Sequence, residues 1–227
     1  LLAARDSILP LRGVLAALGE LVKARLTALV LITTVTGFFV GRTGGSDWLT
    51  GLHVLLGTGL VAAGAAALNE WWERDLDRLM DRTATRPLPS GQIEPWVALT
   101  LGLTSVVGGL GYLAWVVNGL TAMLGAAAAV SYVLIYTPLK RVTTLNTFVG
   151  AVPGALPPLM GWTAARGDLG AGGLALFGVL FLWQIPHFMA IAWLYREQYA
   201  KAGFRMMPVV DPAGLATGWS AAVSAAL

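Results

Sequence analysis

The sequence predicts an all-α protein, a polytopic bundle of transmembrane helices. Three observations carry this: 56% hydrophobic against 12% charged residues, a mean hydropathy of +0.71, and apolar stretches long enough to cross a bilayer. Such a span needs about 20 mostly apolar residues, since the hydrocarbon core is about 30 Å thick and a helix rises about 1.5 Å per residue. Six stretches qualify, near Leu21–Val40, Trp48–Trp72, Trp96–Val117, Leu120–Tyr136, Thr144–Ala164 and Leu174–Leu194, and a seventh begins near Gly214. Small residues crowd these spans, as in GLVAAGAAALN and MLGAAAAVSY, where they let helix backbones approach closely. In the fifth span Pro153, Pro157 and Pro158 predict a helix that bends or unwinds.

The net charge of +3 is read as a topology signal and not as a nucleic-acid footprint. Thirteen of the fifteen Lys and Arg fall at the N-terminal end up to Arg25 and in the loops around residues 73–95, 137–143 and 195–213; only Arg42 and Arg166 lie on the other side. The positive-inside rule therefore puts those four regions on the cytoplasmic face of a cell membrane, or on the matrix face of a mitochondrial inner membrane. The first twenty residues lack the order of a cleavable signal peptide, so the first span is expected to act as its own insertion signal. With no cysteine, the chain has no disulfide, thiolate metal site or Cys nucleophile. Residues 1–227 are expected to form one transmembrane domain trimmed at both ends.

Five of the twelve acids fall between Glu70 and Asp81, in NEWWERDLDRLMDRTATRPLPSG, directly after an apolar run. Asn69, Glu73 and Asp77 are four apart, so on a continuing helix their oxygens line one stripe. Two carboxylates at that spacing repel, and a divalent cation between them reverses the sign; hard oxygen donors suit magnesium, which shares its shell with substrate phosphates. The competing reading is a solvated helix end, with Glu70, Arg74 and Arg78 forming an ion-pair ladder on the next stripe. Depth favours the first, because polar groups at the membrane are costly unless they serve a purpose. Asp75 and Asp81 are expected to be solvated.

Arg82 and Arg86 follow the stripe, and either neutralise it or clamp a diphosphate. Lys140 and Arg141, in YTPLKRVTTLN, lie on the same side of the membrane and either anchor the loop or join that clamp. An apolar bundle beneath these loops offers room for a hydrophobic tail, which suggests a lipid diphosphate. The chemistry expected is ionisation in a water-poor pocket, with some of the nine Trp, seven Phe and five Tyr facing an allylic cation. His187, beside the helix-kinking Pro186 in FLWQIPHFMAIAW, is a functional candidate or a packing histidine. His53 has no assigned role. A cation transporter reading requires polar residues at matching depth across several spans, and the third and fourth spans are almost wholly apolar.

The stretches NEWWERDLDRLMDRTATRPLPSG, YTPLKRVTTLNTFVGAVPGALPPLMGW, FLWQIPHFMAIAW and YREQYAKAGFRMMPV together resemble the UbiA superfamily of intramembrane prenyltransferases, and the last three resemble its haem-modifying branch. The resemblance implies a bundle of about nine spans, of which this chain supplies six and part of a seventh. It implies transfer of farnesyl from farnesyl diphosphate to a vinyl group of haem b, with addition of water to give haem O and release of diphosphate. Haem b is then a substrate, Mg2+ the cofactor, membrane lipid the surroundings, and a haem-handling enzyme downstream a partner. Carried over by motif, Asn69, Glu73 and Asp77 hold magnesium, and Arg82, Arg86, Lys140 and Arg141 contact diphosphate. His187 meets the porphyrin, and Asn146 belongs to the same matched stretch. The loop after the sixth span departs from the superfamily, offering Glu197 as a further metal ligand but Gln198 where an acid is common. A prenyltransferase for an aromatic quinone precursor is the nearest alternative.

Overall fold

The computed structural model describes residues 10–42, 44 and 47–227. Arg5 in the basic N-terminal region and the reading of the first nine residues as part of a signal-free terminus lie outside the described residues. Helix α1 (Leu11–Leu21) precedes α2 (Ala24–Gly41) and the 30-residue α3 (Trp48–Asp77). Helix α4 (Pro95–Tyr112) runs on as a π-helical turn, Leu113–Val117; α5 (Gly119–Val130) does the same over Ser131–Tyr136 before the short α6 (Thr137–Leu139). Then come α7 (Asn146–Arg166), α8 (Ala171–Leu194), the short α9 (Arg196–Lys201) and α10 (Met207–Val210), and α11 (Leu215–Ala226). Five of these segments are long and apolar enough to span a membrane: α2, α3, α4 with its π turn, residues 119–139, and α8. The chain is an integral membrane protein with the all-helical architecture its sequence predicts.

Many large apolar side chains face outward, and small residues mediate the closest helix contacts. On α3, Leu49, Leu52, Leu56 and Leu60 are exposed at helical spacing, while Gly57, Val61, Gly64, Ala65 and Leu68 are buried. Lipid satisfies the leucines, so the helix–helix contacts fall to small residues. A Cβ built on Gly64 would lie 2.7 Å from the Gly102 carbonyl oxygen, and one on Gly109 would lie 3.0 Å from that of Gly57, so α3 and α4 touch backbone to backbone. Gly37 of α2 meets the Pro158 backbone of α7 in the same way.

Helix α7 sits within the bundle, with residues 155–164 buried throughout. It stays helical through Pro153, Pro157 and Pro158, so of the two expected outcomes, bending or unwinding, it does not unwind. The reason is packing: Gly37 and Gly161 bring α2 and α7 into backbone contact, holding the segment in place despite the missing amide donors.

At its lower end α3 is closed by Thr83, whose hydroxyl donates to the Asp77 carbonyl at 2.8 Å. The following loop turns through Pro87, Pro89 and Gly91 (φ 77°), and Pro95 opens α4. The loop after α8 is tied back by Arg205 N–H to the Lys140 carbonyl at 2.7 Å. Asp211 accepts from the Thr217 amide at 3.0 Å at the start of α11, which holds its carboxyl below the ordinary carboxylate range.

Candidate active site

Because α3 continues without a break to Asp77, Asn69, Glu73 and Asp77 do fall on one stripe, and all three are at most 4% exposed. They lie at one end of a cavity of about 530 Å³ bounded by α2, α3, the Ser131–Tyr136 π turn, α7 and α8. That size lies in the range of small-molecule sites, roughly 300–1,000 Å³. Toward the membrane interior the lining is aliphatic and small, with Val30, Val61, Ala65, Ala129 and Met160.

Each member of the stripe is held. The Asn69 amide donates to Glu73 Oε2 and to Thr137 Oγ1, both at 3.0 Å. Its Oδ1 accepts from Lys23 Nζ at 2.7 Å and from the Tyr132 hydroxyl at 3.0 Å. Lys140 Nζ lies 2.8 Å from both carboxylate oxygens of Glu73, and Arg86 Nη1 lies 2.8 Å from Asp77 Oδ2. Glu70, 1% exposed, is 3.8 Å from Arg86 Nε, and its Oε2 has no hydrogen-bond partner. Glu70 therefore belongs to the buried cluster, and the ladder of the competing reading, along Glu70, Arg74 and Arg78, does not form. Asp75 takes Arg74 and Arg78 instead, at 3.7 and 3.4 Å, on the exposed side.

Burial works against the charge on Lys140, but Glu73 outweighs it, so the ammonium is held above the ordinary lysine range. Arg86 is likewise opposed by burial and raised by Asp77 and then Glu70. Arg82 stacks over Tyr195 at 4.7 Å and donates to the Tyr199 hydroxyl at 3.1 Å, which keeps its guanidinium on the cavity wall.

Other expected residues lie elsewhere. Arg141 is exposed and outside the cavity lining: the turn that directs Lys140 inward carries its neighbour to the surface. Glu197 is exposed and outside the lining too, while Gln198 Oε1 accepts the Arg82 backbone amide at 3.2 Å. Asn146 is fully buried as a clamp, donating to the carbonyls of Thr143 (2.6 Å) and Arg205 (3.0 Å). His187 lines the cavity and stacks on Trp183 with centroids 5.5 Å apart. His53 Nδ1 is 2.6 Å from the Tyr112 hydroxyl.

The sequence reading missed Lys23, Tyr132 and Tyr136. In the sequence Lys23 reads only as a topology charge. The two tyrosines sit in the π turn, with rings 5.9 Å apart and 18° from parallel, and Lys140 lies 4.6 Å from the Tyr136 ring centroid. Their four-residue spacing in SYVLIY was the available signal, and π turns concentrate at functional sites.

The chain belongs to the UbiA prenyltransferase family, whose model matches residues 30–227. Among its relatives, the protoheme IX farnesyltransferase of Solibacter usitatus (strain Ellin6076) is 49% identical over 202 residues, covering 85% of this chain and 69% of that protein. The protoheme IX farnesyltransferase of Koribacter versatilis (strain Ellin345) is 47% identical over 91% of this chain and 68% of its own length. The human mitochondrial protoheme IX farnesyltransferase is 46% identical over 86% of this chain and 44% of its own. In fold the chain is similar to a UbiA homologue from Archaeoglobus fulgidus solved with DMAPP and Mg2+, at a TM-score of 0.71 and 21% identity over 91% of this chain and 74% of that one.

Proposed function

We propose that this protein transfers the farnesyl group of farnesyl diphosphate to a vinyl group of haem b, giving haem O and diphosphate. The observation that carries the reading is the buried Asn69–Glu73–Asp77 stripe at the polar end of an apolar cavity, ringed by cationic side chains. The relatives named protoheme IX farnesyltransferase, at 46–49% identity, supply the acceptor.

Two carboxylates and an amide oxygen match the habit of magnesium, which takes one or two carboxylates and shares its remaining shell with phosphates. When bound, Mg2+ offsets the charge that builds on the diphosphate as it leaves. Asn69, Glu73 and Asp77 would hold it. Arg82, Arg86 and Lys140 would turn their N–H groups to the diphosphate oxygens. The apolar lining excludes water from farnesyl C1 as the C1–O bond breaks, and the ring faces of Tyr132 and Tyr136 stabilise the allylic cation. A new C–C bond then joins C1 to the terminal vinyl carbon, water adds to the other vinyl carbon, and one proton is lost. His187, on the α8 wall, is assigned to the porphyrin. Arg141 and Glu197 are left out of the site because neither lines the cavity. The loop charges support a polar mouth on the cytoplasmic or matrix face.

The test is to incubate the detergent-solubilised protein with farnesyl diphosphate, haem b and magnesium and to weigh the product. The expected mass is haem b plus one farnesyl and one hydroxyl group. Prenylation of hydroxybenzoate with no change in haem b would assign the site to a quinone precursor instead.

A further inference from the structure

Gln184 of α8 lines the cavity and is 6% exposed, at a notch in α7. A Cβ on Gly154 would collide with Gln184 Oε1, so the amide lies against the α7 backbone only because that position has no side chain. Its Nε2 donates to the Leu180 carbonyl at 2.8 Å and faces the Ala151 carbonyl at 3.5 Å. Two acceptors at that terminus fix which way round the amide sits. Oε1 is then the other terminus, and it accepts from no donor among the described residues.

The α7 wall adds to this surplus of acceptors. Pro157 and Pro158 have no N–H, which removes the usual helical donors of the Pro153 and Gly154 carbonyls, and both of those residues line the cavity. A buried acceptor without a donor is unfavourable, so its place in a binding cavity points to a ligand that brings hydrogens. Of the three reactants in the proposed transfer, metal-bound farnesyl diphosphate presents only acceptor oxygens, and haem b has iron-bound nitrogens and ionised propionates. Water alone has hydrogens to donate.

We infer that Gln184 Oε1, with the Gly154 carbonyl, holds the water that becomes the hydroxyl of the product. The inference rests on the proposed farnesylation of haem and names the residue that decides its outcome. His187, to which the porphyrin is assigned, lies three residues further along α8 and lines the same cavity, so the two side chains share a face of the helix.

When farnesyl C1 bonds to the terminal vinyl carbon, the vinyl π pair forms that bond and leaves the inner vinyl carbon cationic. The held water gives a lone pair to that carbon, a C–O bond forms, and an O–H bond breaks. Its proton passes to the released diphosphate, the base that the reaction itself supplies. Gln184 stays neutral and keeps no proton. With no water in place, the same cation sheds a proton from the adjacent carbon and gives an alkene one water lighter than the hydroxylated product. Gln184 thus sets the choice between hydration and elimination.

The experiment is the assay with haem b, farnesyl diphosphate and magnesium, read by mass as the ratio of hydroxylated to alkene product. Two variants remove the oxygen by different routes, and one active variant suffices. Gln184→Met keeps the length of the side chain without the acceptor, and Gly154→Ala puts a methyl where Oε1 sits. In each, the ratio should fall by about tenfold, the scale of one hydrogen bond. Slower turnover with a wholly hydroxylated product would give Gln184 a packing role and overturn the inference, leaving the transfer itself standing. Failure of the unaltered protein to prenylate haem b would overturn both.

Discussion

Lys140 Nζ is equidistant, at 2.8 Å, from the two carboxylate oxygens of Glu73, and this symmetric pair lies almost fully out of solvent, with side-chain exposures of 13% and 5%. Removing one partner of such a pair leaves the other as an uncompensated buried charge, at a cost of about 3–5 kcal/mol. Lys140→Met should therefore lower the unfolding temperature in detergent sharply, and adding Glu73→Gln should restore most of it. A single variant as stable as the unaltered protein would show that the pair is not formed in the membrane.

The same pair sets a pH dependence. The folded-state pKa of Lys140 is raised above its unfolded value, so the stability it contributes is fully present below the ordinary lysine pKa of about 10.4 and is lost only as pH rises through the higher folded value. The stability difference between the unaltered protein and the Lys140→Met, Glu73→Gln double variant should be flat from neutral to mildly alkaline pH. A difference that fell away between pH 7 and 9 would contradict a raised pKa.

Arg86 spans Asp77 at 2.8 Å and Glu70 at 3.8 Å, a reach that depends on the fork of the guanidinium. Lysine offers one ammonium in its place. Arg86→Lys should raise the KM for farnesyl diphosphate by roughly 10- to 100-fold, the range of one charge-assisted hydrogen bond. An unchanged KM would remove Arg86 from the diphosphate site.

His187 lines the cavity from α8, stacked on Trp183, whereas the acidic stripe lines it from α3. His187→Ala should weaken haem b binding, read from the Soret titration, and leave binding of farnesyl diphosphate close to normal. Should haem affinity stay the same, the porphyrin assignment is lost.

Gly37 and Gly108 give a packing contrast. A side chain at Gly37 collides with the Pro158 backbone, whereas at Gly108 nothing lies within 4 Å. Gly37→Leu should cost at least about 1–3 kcal/mol and reduce recovery of monodisperse protein, and Gly108→Leu should not. Equal recovery of the two would argue against the α2–α7 contact.

Particular residues show how far the sequence could be read. The stripe of Asn69, Glu73 and Asp77 was legible because helical periodicity is a local property, and α3 stays helical to its last acid. The membrane helices were legible for a similar reason, since length and apolarity need no tertiary knowledge. What spacing does not encode is which side of a turn faces inward. Lys140 and Arg141 are adjacent and alike in sequence, yet one reaches Glu73 and the other is exposed. Glu70 read as a surface residue because its partner, Arg86, approaches only after the 78–94 loop folds back. Lys23 and Tyr132 meet Asn69 across separations of 46 and 63 residues, which no local pattern reveals.

The account turns on whether Asp77 and its two neighbours hold a metal that draws away the diphosphate. The most direct measurement is diphosphate release from farnesyl diphosphate in the presence of haem b, followed as magnesium is titrated, for the unaltered protein and for Asp77→Asn. The prediction is saturable dependence on magnesium in the first and a loss of about 100-fold or more in the second, the scale on which removal of one transition-state contact acts. Release by Asp77→Asn at the unaltered rate, with the same dependence on magnesium, would contradict it.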